Sequence, residues 1–160
     1  AAPVEWAVEN GVTSGTSATT FSPGNTCTTA EILTFLWRAN GSPVVDYAMN
    51  FTDVPADAYY ADAVRWAVSK GITCGTSATT FAPDMTVTRS QTVTFLYRAA
   101  GTPAVSGGSF ADVDANAYYA DAVAWAVAEG ITSGTSATTF SPNAPCTRAQ
   151  IVTFMYRDAQ

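Results

Sequence analysis

One eleven-residue stretch occurs three times in this chain, and it limits the possible folds more than any other feature. Gly71-Ile72-Thr73-Cys74-Gly75-Thr76-Ser77-Ala78-Thr79-Thr80-Phe81 recurs as Gly11 to Phe21 and as Gly130 to Phe140 with few changes. Trp6, Trp66 and Trp125 stand at one fixed distance ahead of the copies, and Arg38, Arg98 and Arg157 at another behind them. A period of about 60 residues marks a supersecondary unit that buries its apolar face against its siblings rather than alone. At 160 residues the chain has the length of one compact domain, with repeats at roughly 1–43 (lacking its lead-in segment), 44–103 and 104–160. Any functional site is expected in triplicate or between copies.

The middle copy supplies the grammar. Phe51-Thr52-Asp53-Val54-Pro55 reads as a short extended lead-in, since the proline disfavours helix at Val54. A first helix is predicted from Asp57 or Ala58 to Lys70, with Ala63, Trp66, Ala67 and Lys70 on one face and Gly71 as its left-handed stop. Ile72 to Val87 is rich in Thr, Ser, Gly and Pro and reads as an ordered loop anchored by Phe81. Thr88-Arg89-Ser90-Gln91 is a capping box that opens a second helix, and Thr28 to Glu31 and Thr147 to Gln150 repeat it. Val93, Leu96, Tyr97 and Ala100 are its predicted buried stripe, ended by Gly101 and Pro103, with Ile151, Phe154 and Met155 as counterparts in the third copy. The linkers 42–50 and 102–109 are short, which suits neighbouring copies packed together. The expected fold is all-α, three helix–loop–helix units around one core.

Charge and chemistry narrow the function classes. Net charge is −6, with one lysine and no histidine, which argues against nucleic acid and against an anionic membrane surface. No apolar run approaches membrane-spanning length, and no signal peptide opens the chain. The first residues align inside a repeat, as expected of a processed form or a segment of a longer protein. Without histidine there is no ordinary serine or cysteine triad. Carboxylates such as Asp53, Asp57 and Asp62 could form a glycosidase pair, but Asp112 and Asp121 recur at positions matching Asp53 and Asp62, as scaffold residues would. Asp112 to Asn116 opens like a calcium loop, yet Ala117 replaces the turn glycine and Val123 the bidentate glutamate. Zinc lacks ligand pairs, so neither metal nor cofactor is expected. Cys27 and Cys146 occupy a position where the middle copy has Val87, which favours buried thiols over a disulfide.

These spaced motifs resemble the bacterial S-layer homology family: Phe-x-Asp-Val, Tyr-Tyr-Ala-Asp-Ala-Val-x-Trp-Ala, Gly-Ile-Thr-x-Gly, Phe-x-Pro and Thr-Arg-x-Gln, in that order, over essentially the whole chain. The resemblance implies a pseudo-threefold, three-pronged spindle around a central helix bundle. It also implies grooves between prongs for a secondary cell-wall polysaccharide attached to peptidoglycan, commonly through a pyruvylated sugar. By the same resemblance the protein would be an exported, non-catalytic anchor for something larger on a Gram-positive-type wall. The family's binding arginine maps onto Arg89 and Arg148, while Thr29 holds that position in the first copy. Ala78-Thr79 stands where relatives often carry Asp-Gly, a departure that points to a subfamily with a different groove or sugar.

On physical grounds an arginine in a helix's first turn opposes the macrodipole, unless free N–H groups and the guanidinium converge on an arriving anion. Trp6, Trp66 and Trp125 are candidates to wall each groove, although helical spacing favours a core role for them. The loop backbone after Gly15, Gly75 and Gly134 is expected to supply hydrogen bonds. Arg38, Arg98 and Arg157, near helix C-termini, read as structural. A protein-interaction or self-assembly module is the alternative function.

Overall fold

The computed structural model describes residues 2–13, 15, 21–22, 24–105, 110–136 and 138–160. Among them lie six helices: α1 Ala2–Glu9, α2 Thr29–Ala39, α3 Ala61–Ser69, α4 Arg89–Ala99, α5 Ala120–Ala128 and α6 Arg148–Asp158. The fold is all-α, as the spacing predicts. No helix among the described residues is long and apolar enough to cross a membrane.

Each second helix begins at its capping box. The Thr28, Thr88 and Thr147 hydroxyls accept from the backbone N–H three residues on, and Glu31, Gln91 and Gln150 accept the reciprocal bond. The first helices start later than expected. α3 opens at Ala61 rather than Asp57 because no side chain caps it; two tight turns, Ala58 N to Pro55 O and Ala61 N to Ala58 O, take up the intervening residues. Gly71 and Gly130 end α3 and α5 at φ +73° and +74°, where a side chain is costly.

Packing straddles the repeat boundary. α3 lies on α2, α5 on α4, and α1 closes the ring against α6, so two helix pairs join successive repeats and the last joins the third repeat to the first. α2, α4 and α6 form the centre. The residues just ahead of their N-caps meet in a cycle of backbone bonds: Val87 N to Cys27 O at 2.8 Å, Cys146 N to Val87 O at 3.0 Å, and Cys27 N to Cys146 O at 3.3 Å. Isolated bridges Thr28–Thr86, Thr88–Pro145 and Thr26–Thr147 repeat the same order. This ring is the pseudo-threefold axis of a three-pronged spindle.

Central position explains why the buried surface of α4 is wider than a stripe. Val93 and Leu96 are buried as expected, but so are Arg89, Ser90, Thr92, Thr94 and Phe95, whereas Ala100 is exposed. A helix packed on several sides cannot be one-faced. Its threonines survive there because Thr92 Oγ1 donates to Thr88 O and Thr94 Oγ1 to Ser90 O, leaving no hydroxyl unsatisfied. Ile32, Leu33, Val93, Leu96, Ile151 and Val152 fill the core, each contributing about 1.5–3 kcal/mol of burial. Cys27 and Cys146 sit among them as free, buried thiols, while Cys74 is exposed.

The recurring aspartate of the lead-in has a definite job. Asp53 accepts from Phe81 N and Ala82 N with its two oxygens, and Asp112 does the same for Phe140 N and Ser141 N, every bond at 2.8 Å. Ala82 and Ser141 are left-handed, at φ +59° and +60°, so the clamp holds a backbone kink that their side chains disfavour. The Ala-Thr turn is closed by a serine instead of an Asp-Gly pair: Ser77 Oγ accepts from Thr79 N and Thr80 N, and Ser136 Oγ from Thr138 N and Thr139 N.

Candidate functional site

The first residue of each central helix crosses to the next repeat. Arg89 Nε donates to Phe140 O at 2.9 Å, and its guanidinium lies over the Phe140 and Phe154 rings at 4.8 and 5.4 Å. Arg148 repeats this from the third copy to the first, with Nε to Phe21 O at 2.9 Å and the Phe21 and Phe35 rings at 4.8 and 5.3 Å. Thr29 takes the remaining crossing and donates its hydroxyl to Met85 O at 3.2 Å. Stacking on aromatic faces and a carbonyl bond explain how two arginines come to be only 4% exposed.

The helix amides that such an arginine was expected to share with an anion are already used. Arg89 N donates to Ala144 O and Ser90 N to Pro142 O, while Gln91 N is bound by the Thr88 cap. Thr29 N and Arg148 N donate to Met85 O and Asn25 O in the same way. The expectation of free first-turn N–H groups is therefore corrected: inter-repeat packing and the cap consume them.

Two clefts open beside these crossings. The 2–3 cleft is lined by Arg89 from the second repeat and by Thr132, Ser133, Gly134, Gln150, Phe154 and Arg157 from the third. The 1–2 cleft is lined by Thr29 from the first repeat, by Thr73, Cys74, Gly75, Gln91, Phe95 and Arg98 from the second, and by Tyr118 from the third. At the 3–1 junction Arg148 meets the first repeat's Thr13 and Glu31, with Nη2 to Thr13 Oγ1 at 3.4 Å and Nη1 to Glu31 Oε2 at 3.2 Å. Glu31 is the only carboxylate that pairs with a crossing arginine among the described residues. Arg89 has none within ion-pairing distance; burial pulls its pKa below the ordinary value, and Asp112 opposes that pull only from farther away.

Gly75 and Gly134 line their clefts, and glycine is required at both. They hold φ +86° and +93°, and an added Cβ would come within 2.9 Å of a Phe51 or Phe110 ring atom. Their amides are not open to a ligand, since Gly75 N donates to Thr73 Oγ1 and Gly134 N to Thr132 Oγ1; Gly15 N likewise donates to Thr13 Oγ1. The next amides, Thr76 N and Thr135 N, close the turn on Thr80 O and Thr139 O. Of the first copy's loop, residues 14 and 16–20 lie outside the described residues.

The tryptophans are elsewhere. Trp66 and Trp125 are core residues, and Trp125 leans on Tyr97 with ring centroids 5.6 Å apart. Trp6 packs edge-on against Tyr156 at 6.0 Å, near the far ends of the central helices. None lines the 1–2 or the 2–3 cleft. Trp66 lines a separate pocket with Asn40 and Pro43 of the first repeat and Lys70 and Arg98 of the second, and Trp6 lines one at the far ends of the central helices.

The cleft residues that sequence reasoning passed over are Arg98 and Arg157. Both make the structural bond expected near a helix end, Arg98 Nη1 to Ile72 O and Arg157 Nη1 to Ile131 O, each at 3.0 Å. Both also line a cleft. A signal existed: Gln150, Phe154 and Arg157 are spaced four and three residues apart and so share a helix face, as do Gln91, Phe95 and Arg98.

The profile of the S-layer homology domain matches residues 1–33, 50–93 and 109–152, one segment in each repeat. A surface-layer 125 kDa protein of Lysinibacillus sphaericus is 37% identical over 92 residues, which cover 58% of this chain and 8% of that protein. A cell surface protein of Thermoanaerobacter kivui is 33% identical over 113 residues, 67% of this chain and 15% of its own length. The chain thus spans a small fraction of either relative. Three profile matches in register with three structural repeats lead to one conclusion: the chain belongs to the S-layer homology domain family.

Proposed function

We propose that this chain is a non-catalytic module that holds a larger exported protein at the cell surface of a Gram-positive-type bacterium. It does so by binding an acidic secondary cell-wall polysaccharide in the clefts between its repeats. Family membership and the surface-layer and cell-surface names of two relatives support the location. The observation that carries the binding is the guanidinium of Arg89, buried between two phenylalanine rings yet at the wall of an open cleft. A carboxylate there gains charge-assisted hydrogen bonds in a site where water competes weakly.

The net charge of −6 offers no long-range attraction to an acidic polymer, so recognition is short-range and confined to the clefts. Hydroxyls of Thr132 and Ser133 and the Phe154 ring supply the mixed polar and apolar lining that a sugar ring requires. Repetition of the cleft adds avidity when one polymer reaches two of them.

Co-sedimentation with purified wall sacculi tests the proposal. Binding to native sacculi is expected, with loss when the secondary polymer is stripped from peptidoglycan. An Arg89→Ala, Arg148→Ala double variant, checked for helix content, is expected to bind more weakly. Equal sedimentation with native and stripped sacculi would point instead to a protein-interaction module.

A further inference from the structure

We propose that the base of the spindle, the end opposite the capping boxes, is a self-association face whose occupant is a second copy of this chain. The inference goes beyond the anchoring reading and stands without it.

The base is apolar at its centre. The C-terminal turns of α2, α4 and α6 come together around an open cavity of about 210 Å³, lined by Trp6, Leu36, Leu96 and Met155. Ala39, Ala99 and Ala159 stand exposed on its rim, and such small side chains let a partner approach closely.

Three equivalent corners surround this cavity, and each carries a different charge. At the 1–2 corner Lys70, the C-cap of α3, and Arg98 line a pocket of about 500 Å³ that no carboxylate enters. The matching positions at the 2–3 corner hold Glu129 for Lys70, Arg157 for Arg98 and Asp158 for Ala99. At the 3–1 corner they hold Asn10, Arg38 and Ala39. Glu129 is the C-cap of α5 and Asp158 the last residue of α6, positions where the helix dipole favours cations. The two also oppose each other: partial burial, and then the nearby Glu129 charge, raise the pKa of Asp158. Lys70, Glu129 and Asp158 are exposed, and none forms an ion pair among the described residues. A cation arriving at the 2–3 corner relieves both penalties, and the chain displays its single lysine on the neighbouring corner of the same face.

The placement of these corners fits one assembly. A two-fold axis at right angles to the pseudo-threefold axis, midway between the 1–2 and 2–3 corners, turns one base onto another and exchanges the two corners. Lys70 of one copy then meets Glu129 and Asp158 of the other, and the reciprocal contact forms at the same time. This is a self-complementary interface that closes as a dimer. The alanine-rimmed cavities meet at its centre. At physiological salt charges are screened over about 8 Å, so the like net charges of two copies weigh little while groups in contact still attract. An interface limited to helix ends belongs to the weak, transient class.

Sedimentation velocity of the whole chain over about 0.02–1 mM, with amide shifts of nitrogen-15-labelled protein on dilution, tests the face. A monomer–dimer equilibrium is expected, with concentration-dependent shifts at Lys70, Ala99, Glu129 and Asp158. Lys70→Glu and Glu129→Lys, both at exposed positions, are each expected to weaken the dimer about tenfold or more, because each removes the charge complementarity at both contacts. An equimolar mixture of the two variants is expected to regain the dimer, since each offers the charge that the other lacks, and so is the chain carrying both exchanges. Rescue by mixing is also the folding control, because misfolded variants cannot restore each other.

A chain that stays monomeric over this range would leave the base to some other partner and overturn the proposal. So would shifts confined to residues away from these corners, or a dimer that ignores the charge reversals. Single variants that lose the dimer and fail to regain it on mixing would overturn it as well. Co-sedimentation with sacculi bears on anchoring alone, so either reading can fail without the other.

Discussion

Replacing Gly134 by alanine measures how firmly the floor of the 2–3 cleft is set. At φ +93° the new Cβ lies 2.6 Å from Phe110 Cε1 and 2.6 Å from Thr139 O. The left-handed conformation alone costs a non-glycine residue about 1–2 kcal/mol. Displacing a packed ring and a backbone carbonyl adds roughly 1–3 kcal/mol. Gly130 is an internal control: it has φ +74° but nothing within 4 Å of its added Cβ, so Gly130→Ala carries the first cost only. The difference between the variants should then be about 1–3 kcal/mol. With a urea slope of about 2 kcal/mol/M, the Gly134→Ala midpoint falls about 0.5–1.5 M below that of Gly130→Ala. Phe110→Ala in the Gly134→Ala background should recover only part of this, because the Thr139 oxygen belongs to the backbone. Equal midpoints for the two alanine variants would refute the steric argument.

Thiol reactivity separates the three cysteines: one equivalent should react with an aromatic disulfide reagent in the native protein, at the exposed Cys74, and three after denaturation. Cys27 and Cys146 stay silent because burial excludes the reagent and pushes their pKa values up to about 12 and about 11. Acid sensitivity follows from the two aspartate clamps. Desolvation opposes the shift at Asp53, but the Phe81 and Ala82 amides outweigh it and lower its pKa; at Asp112 the Phe140 amide leads the lowering. A carboxylate whose folded pKa lies below its unfolded value stabilises the fold above the unfolded value and loses that contribution as pH falls through the folded one. The thermal midpoint should therefore drop as pH falls below about 4, and Asp53→Asn with Asp112→Asn should flatten the drop. An unchanged slope in the double variant would remove the clamps from the acid response.

Much of the fold is legible because its signals are local. The capping boxes at Thr28, Thr88 and Thr147 act within four residues, and the Gly71 stop needs only its own φ. The later start of α3 was not legible, since Asp57 has the chemistry of a cap and only the turn after Pro55 shows that it is not used as one. The candidate site was legible in part. Arg89 and Arg148 do reach the boundaries between repeats, whereas Arg157 was hidden behind a structural role that it also performs. The tryptophans show where pattern reading stops, because a repeated aromatic reads equally well as a sugar platform or a packing element until its partners are known.

The period, the starts of the central helices, the glycine stops and the choice of Glu or Gln at each cap were determined by the sequence alone, since they depend on residues near one another along the chain. Phase was not. Only the tertiary structure pairs α2 with α3, α4 with α5 and α6 with α1, and only that pairing sets Arg148 against Glu31 while leaving Arg89 opposite Gln150. The physical reason is distance: a cap acts through a turn of backbone, whereas the charge balance of a cleft depends on groups that sit in different repeats until the ring closes.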